Sequence, residues 1–365
     1  MNNTKLSKRQ IRSQHYFNLN SKLLSLDDTE IQGLLSKDKT DEGWGETQTI
    51  RYQGTKIFVK KVPLTGVEYQ NKYSLKNHFR LPLYYNFGIN SAGFGAYREL
   101  NAHIKTTNWV LAGETDSFPL LYHYRVIRRI SKIRNIDENE HRDYIKYWNS
   151  SKSIDAFIKE RNNSEYELLL FIEHFPHVLG FGKWFSKNTH RIDEISNSCF
   201  KAIEFLKSKG MVHMDLQFHN IVTDNEDFYF TDFGLTLDKQ ACVSEKEKAF
   251  YKSVSFLDYH FFLSSASWHL NYLYEKSRKT IRNKIDELCC IDKGMEFLQV
   301  TRQLVLNLER LNEEIMKLDP TFYNYILKHR ESILEANSFL VAMYKNTKKN
   351  TPLINTEIRR ALAIG

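Results

Sequence analysis

The chain has few residues that staple, kink or break structure. Only four cysteines stand in 365 residues. Cys199, Cys242 and the adjacent Cys289 and Cys290 show neither zinc-ligand spacing nor a disulfide framework, so all four are read as reduced thiols. With 6 prolines, 15 glycines and neither a repeat nor a low-complexity tract, the chain is no solenoid, collagen-like rod or Pro/Gly-rich linker. No apolar run reaches the roughly 18 residues that cross a bilayer. The basic N-terminus MNNTKLSKRQIRSQHYF lacks the apolar core of a signal peptide. The expectation is a cytoplasmic protein without a transmembrane segment; a non-classical secretion address would leave no mark of this kind.

What is present argues for folded structure. Hydrophobic residues make up 41% and aromatics 13%, too many for a disordered chain, and the length suits two globular units or one two-lobed domain. The formal charge of +8 is spread among acidic residues. Its densest group, Arg125, Arg128, Arg129, Lys132 and Arg134, reads as a solvated strand end or loop rather than a nucleic-acid or lipid surface.

The pattern divides the chain. Residues 1–40 read as an extension with one helix near Leu26 to Leu35. TQTIRYQ and TKIFVKKV are β-rich runs that meet at Gly54. A helical pattern runs from Ala96 to about Trp109, FPLLYHYRVI is strand-like, a charged helix is expected over 137–160, and YELLLFIEHF is an apolar run of strand length. After Pro176 the pattern is helical: Ile195, Cys199, Ala202, Ile203 and Leu206 recur at helical spacing up to Gly210, and beyond Ser253 nearly everything is helix-like. Boundaries therefore fall at 1–40, 41–175 and 176–365, a small β-rich half preceding a larger helical one.

The stretch GMVHMDLQFHNIVTDNEDFYFTDFGLTL, residues 210–237, carries the chemistry. Asn-Ile-Val and Phe-Tyr-Phe-Thr are short β-formers separated by the turn-prone Asp224-Asn225-Glu226-Asp227. Pairing them would bring Asp215, Asn220 and Asp232 to one end of a hairpin. Two carboxylates and an amide oxygen form a hard-oxygen set suited to Mg2+, which keeps waters and takes substrate phosphates as further ligands. Phosphoryl transfer needs such a metal and a separate carboxylate to orient the acceptor hydroxyl.

His213-Met214-Asp215-Leu216-Gln217-Phe218-His219-Asn220 resembles the H-R-D-L-x-x-x-N catalytic loop of the protein kinase superfamily, and Asp232-Phe233-Gly234 its D-F-G motif. Upstream, Ile57-Phe58-Val59-Lys60 is similar to V-A-I-K on a third strand, and Tyr97-Arg98-Glu99-Leu100 offers the helical glutamate that pairs with the lysine. The resemblance implies an α+β, bilobal protein kinase-like fold, with a β-rich N-lobe holding one key helix and a mainly helical C-lobe. It implies an enzyme using ATP and Mg2+. Asp215 would be the catalytic base, Lys60 (with Lys61 as fallback) would hold the phosphates, and Glu99 would hold Lys60. Asn220 and Asp232 would hold the metal. Glu173 and Phe175, in Ile172-Glu173-His174-Phe175, would lie at the nucleotide hinge, and Gly43 and Gly45 in the phosphate-covering loop, ahead of Gly93 and Gly95.

Departures from the family pattern shape the expected function. Met214 replaces the catalytic-loop arginine, which argues against control by a phosphorylated activation loop. Gln217 stands where serine/threonine kinases usually carry lysine, Phe58 where they carry alanine, and no A-P-E follows Gly234. The first expectation is a serine/threonine-type kinase acting on a protein. The second is a small-molecule phosphotransferase resembling aminoglycoside or choline kinases, and the third a pseudokinase scaffold that binds without transfer. Asp258 is the expected anchor of the next buried helix.

Overall fold

A computed structural model describes residues 6–35, 41–42, 46–87, 90–131, 137–180, 184–242, 244–346 and 348–363. The chain is mixed α+β and divides into two compact units. Met1–Phe175 with Tyr229–Val243 forms the first, and Pro176–Phe228 with Ser244–Gly365 the second.

The first unit begins with helices α1 (Lys8–Ser25) and α2 (Asp28–Leu34), each opened by a capping box, Ser7 with Gln10 and Asp27 with Glu30. Each box satisfies two backbone N–H groups that a helix start leaves without partners. α2 occupies the helix expected near Leu26 to Leu35; α1 lies in the segment read as an extension. Arg12 shows how firmly α1 is built in. Its buried guanidinium donates to Glu173 (2.7 Å), to the Phe118 carbonyl (2.6 Å) and to the Asp116 carbonyl (3.2 Å).

Strands β1 (Asp41–Glu42), β2 (Glu46–Tyr52) and β3 (Thr55–Leu64) follow, then helices α3 (Gly66–Gln70) and α4 (Ala96–Leu111), strand β4 (Leu121–Arg128), helices α5 (Glu138–Tyr147) and α6 (Lys152–Asn162), and strand β5 (Tyr166–Glu173). The five strands form one antiparallel sheet in the order β1-β2-β3-β5-β4. β2 turns into β3 through Gln53 and Gly54, both at positive φ (50° and 78°). That pair of conformations matches the twist of two antiparallel strands joined by a two-residue loop. The single helix expected over 137–160 is instead two, because Asn149 and Ser150 take the left-handed conformation in succession (φ 60° and 52°) and break the ladder.

One face of the sheet packs on α4. Val62 and Leu64 from β3, Leu168, Leu170 and Ile172 from β5, and Leu121 from β4 close over Ala96, Tyr97 and Leu100. β-strand alternation explains the selection, since residues two apart share a face. The basic residues 125 and 129 do not form a solvated patch. Arg125 donates to the carbonyls of Leu24 and Leu26 at the end of α1, and Arg129 to the carbonyl of Asn162 (2.8 Å) and to Ser164 Oγ (3.1 Å).

The second unit is helical: α7 (Ile192–Ser208), α8 (Glu245–Ser253), α9 (Leu257–Lys276), α10 (Lys279–Cys289), α11 (Phe297–Leu306), α12 (Leu308–Glu314), α13 (Pro320–Lys328), α14 (Arg330–Lys345) and α15 (Thr356–Ala363). α9 is buried on every side through most of its length, as its apolar and small residues all round require. Several of its polar side chains are bonded within the unit; Asn271, for example, donates to the Phe297 carbonyl (3.0 Å) and to Thr301 (3.2 Å). His177–Val178 pairs antiparallel with Ile221–Thr223. The two strands read from the sequence on either side of Asp224-Asn225-Glu226-Asp227 form at Ile221–Thr223 and Phe228–Phe230, and the boundary between the units falls within the later one. Asp215 and Asn220 thus belong to the second unit and Asp232 to the first. Among the described residues no helix is long and apolar enough to cross a membrane.

Candidate functional site

In the first unit, Lys60 of β3 lies between two carboxylates. Its Nζ donates to Glu99 Oε1 (2.6 Å) and to Asp232 Oδ1 (2.8 Å). The neighbouring Lys61 faces the other way and pairs with Glu46 at 3.4 Å. Alternation along β3 separates these two lysines. Glu99 is 5% exposed at its side chain and Asp232 49%, so the cluster has one dry carboxylate and one open to solvent.

Burial pushes the Lys60 pKa down, but Asp232 and Glu99 together push it up by more, so the ammonium form is held. Burial raises the Glu99 pKa; Lys60 opposes that and Asp232 adds to it. The arrangement is a largely buried positive charge, tied to a dry carboxylate on one side and to a half-exposed one on the other.

Local structure explains how each carboxylate arrives. Asp232 takes the left-handed conformation (φ 62°, ψ 74°), and its side chain accepts from the Gly234 N–H (3.3 Å). A non-glycine residue in that region is held there by its surroundings. The next residue, Phe233, is fully buried and meets the rings of His103 (4.9 Å) and Phe118 (6.1 Å). His103 and Glu99 are one helical turn apart on α4, so the helix face that seats Phe233 also delivers Glu99.

The start of α4 is fixed by an internal anion. Glu68 Oε1 accepts from the Ala96 N–H (2.7 Å), and a Cβ on Gly95 (φ 127°) would come within 2.5 Å of the same oxygen. A Cβ on Gly93 would overlap the Gly234 carbonyl oxygen. Gly93 and Gly95, the alternative phosphate-binding glycines, are therefore used for close packing, and the anion at that helix start is Glu68. Gly43 and Gly45 lie outside the described residues.

Glu173 ends β5 with both carboxylate oxygens engaged. Arg12 donates to Oε1 (3.0 Å) and Oε2 (2.7 Å), and the Leu120 N–H donates to Oε2 (3.0 Å). Its backbone N–H donates to the Leu120 carbonyl (2.8 Å). Phe175 stacks on Tyr229 at 3.9 Å.

In the second unit the loop from His213 to Asn220 is a pre-set acidic site. Asn220 Nδ2 donates to the Asp215 carbonyl (2.7 Å) and to Asp215 Oδ2 (3.0 Å), and Gln217 Nε2 donates to Asp215 Oδ1 (2.9 Å). Using Nδ2 in this way fixes the orientation of the Asn220 amide.

Helix α9 holds the loop from below. The Asp258 carboxylate accepts from the His213 and Met214 N–H groups (2.8 Å each), and Ser265 Oγ accepts from the Phe218 N–H (3.2 Å). Positions 258 and 265, two turns apart, share a helix face. Burial raises the Asp258 pKa to about 6, against the two backbone donors that lower it. Met214, in the middle of this grip, has φ 71°.

The structure thus brings Lys60, Glu99 and Asp232 together in one unit, and Asp215 and Asn220 together in the other. Arg12, Glu68, Asn101, Lys105 and Asp238 shape the first site but carry no motif. The pattern Ser7-x-x-Gln10 was the visible sign that the segment bearing Arg12 is helical. No family model matches the chain and no curated relative matches its sequence.

Proposed function

We propose that this chain is an ATP-dependent phosphotransferase, a serine/threonine-type kinase that moves the γ-phosphate of ATP to a protein hydroxyl. The observation that carries the reading is Lys60 held as an ammonium between the buried Glu99 and the half-exposed Asp232. A cation so oriented, with its outer carboxylate partner half exposed, suits the α and β phosphates of a nucleotide. The resemblance of the surrounding motifs to the protein kinase superfamily supports the same assignment.

In this reading Asp215 accepts the proton of the attacking hydroxyl. Gln217 and Asn220 steady its carboxylate by donating to it, one to each oxygen. Asp232, a half-exposed carboxylate, is a hard oxygen donor of the kind Mg2+ prefers and would supply a ligand to it from the first unit; in the second unit Asn220, whose amide nitrogen is already used, keeps its oxygen for the same chemistry. When bound, Mg2+ would neutralise phosphate charge.

A second reading, a small-molecule phosphotransferase, draws on one observation. Tyr344, exposed near the end of α14, has its pKa raised first by desolvation and is close enough to Asp215 for that charge to help raise it. A phenol at this distance could contact a small acceptor bound at Asp215.

Incubating the purified chain with γ-labelled ATP and Mg2+, with and without protein acceptors, tests both. Label on a polypeptide that disappears in Asp215→Ala supports the first reading, and turnover without labelled polypeptide supports the second. Absence of ATP binding in the parent, or turnover unaffected by Asp215→Ala, overturns both.

A further inference from the structure

Glu99 and Asp232 share one ammonium but sit on different parts of the first unit, α4 and the segment 229–243. A lysine arm has several rotatable bonds and follows either carboxylate, so Lys60 by itself does not set their separation. A second connection between the same two segments does. Six residues beyond Asp232 the side chain of Asp238 is 6% exposed, and its Oδ2 accepts from Asn101 Nδ2 (3.1 Å) and from Lys105 Nζ, both on α4. Asn101 and Lys105 are one helical turn apart and form a two-donor grip.

Within the segment Asp238 Oδ1 accepts from the Gln240 N–H (2.9 Å), and a further bond crosses from α4, where Lys105 Nζ donates to Gln240 Oε1 (2.8 Å). Between the two ends, Phe233 packs on His103, and Asn86 donates to the Leu235 carbonyl. Glu99-to-Lys105 and Asp232-to-Asp238 are therefore two arms closed at both ends.

We propose that Asp238 is a positioning residue: its buried carboxylate, gripped by Asn101 and Lys105, sets the separation of Glu99 and Asp232 across Lys60 and holds that lysine in its working arrangement without any modified residue on the segment. The purpose of the cluster rests on the phosphotransferase reading; the tether itself is testable without nucleotide.

The experiment uses the full-length chain and measures acylation of the Lys60 amine by an N-hydroxysuccinimide ester, followed by peptide mass spectrometry. Only the neutral amine reacts, so an ammonium held by two carboxylates reacts slowly. Releasing one carboxylate by Asp238→Asn should speed Lys60 acylation by roughly two- to thirty-fold, the range of couplings carried through packed networks. Asp238→Glu should stay near the parent rate. Lys105→Gln, at a partly exposed position, should reproduce the Asp238→Asn effect, and it decides the matter if Asp238→Asn does not fold. Parental acylation rates at Lys60 in a folded Asp238→Asn or Lys105→Gln variant, even with a lowered melting temperature, would reduce Asp238 to a structural ion pair and overturn the proposal. Protection of Lys60 by MgATP in the parent is the separate arm: its failure removes the phosphotransferase reading and leaves the tether standing.

Discussion

Replacing Lys60 with methionine keeps most of the side-chain volume and removes the charge between Glu99 and Asp232. Glu99, with its side chain 5% exposed, would be left as a buried carboxylate facing another one. Breaking a buried pair in this way costs about 3–5 kcal/mol. Asp232 is half exposed and is screened by water, so nearly all of the cost falls on Glu99. Glu99 has one escape, which is to take up a proton. Burial and Asp232 already favour that, and only Lys60 opposes it, so in the variant its pKa lies well above the ordinary glutamate value of 4.5. An acid with a raised folded-state pKa binds more protons folded than unfolded, so its contribution is full below the unfolded value and is lost as pH rises. Stability of the variant should therefore be about 3 kcal/mol below the parent near pH 7.5. It should recover as pH falls toward 5, by at most about 1.4 kcal/mol per pH unit. Urea dependence of amide exchange, read on peptides from β3 and α4, localises the effect to this cluster. A deficit under about 0.5 kcal/mol that does not change with pH would match an ordinary solvated lysine and refute the ion-pair account.

Arg12→Ala should destabilise the first unit by about 3 kcal/mol, because it leaves the buried Glu173 carboxylate without its cation and the Phe118 carbonyl without its donor; thermal unfolding of the variant checks this, and a shift under 1 °C would contradict it. Asp258 predicts an unusual pH response in the second unit. Its pKa is raised from 3.8 to about 6, so its contribution to stability is full below about pH 4 and falls by about 3 kcal/mol by pH 6 and above. The stability difference between the parent and Asp258→Asn, followed from pH 4 to 7, should show that fall, and a constant difference would count against it.

Several features were legible in the residues because they depend on local rules. Alternation along TKIFVKKV separated Lys60 from Lys61, the two-residue turn at Gly54 joined the first strands, and the helix carrying Glu99 followed from its apolar spacing. Asp258, expected to anchor the next buried helix, lies in the first turn of α9 and accepts from the His213 and Met214 N–H groups of the loop before Asp215. The break at Asn149-Ser150 was not legible, since neither residue is a glycine, the usual sign of a left-handed turn. Arg12 could not be recognised either: a lone arginine in a polar N-terminal stretch is ordinary until Glu173, 161 residues away, meets it.

The sequence alone determined the alternation of strands, the helical repeat of the second unit and the types of charged groups available, because these follow from side-chain period and backbone chemistry over a few residues. Tertiary structure decided which charges meet. It placed two carboxylates on one lysine, put Glu68 rather than an external anion at the start of α4, and turned Asp238 toward Asn101 and Lys105. Such pairings join positions far apart in the chain. Their geometry depends on how whole elements pack, and the cost of burying an unpaired charge selects the arrangement in which each one finds a partner.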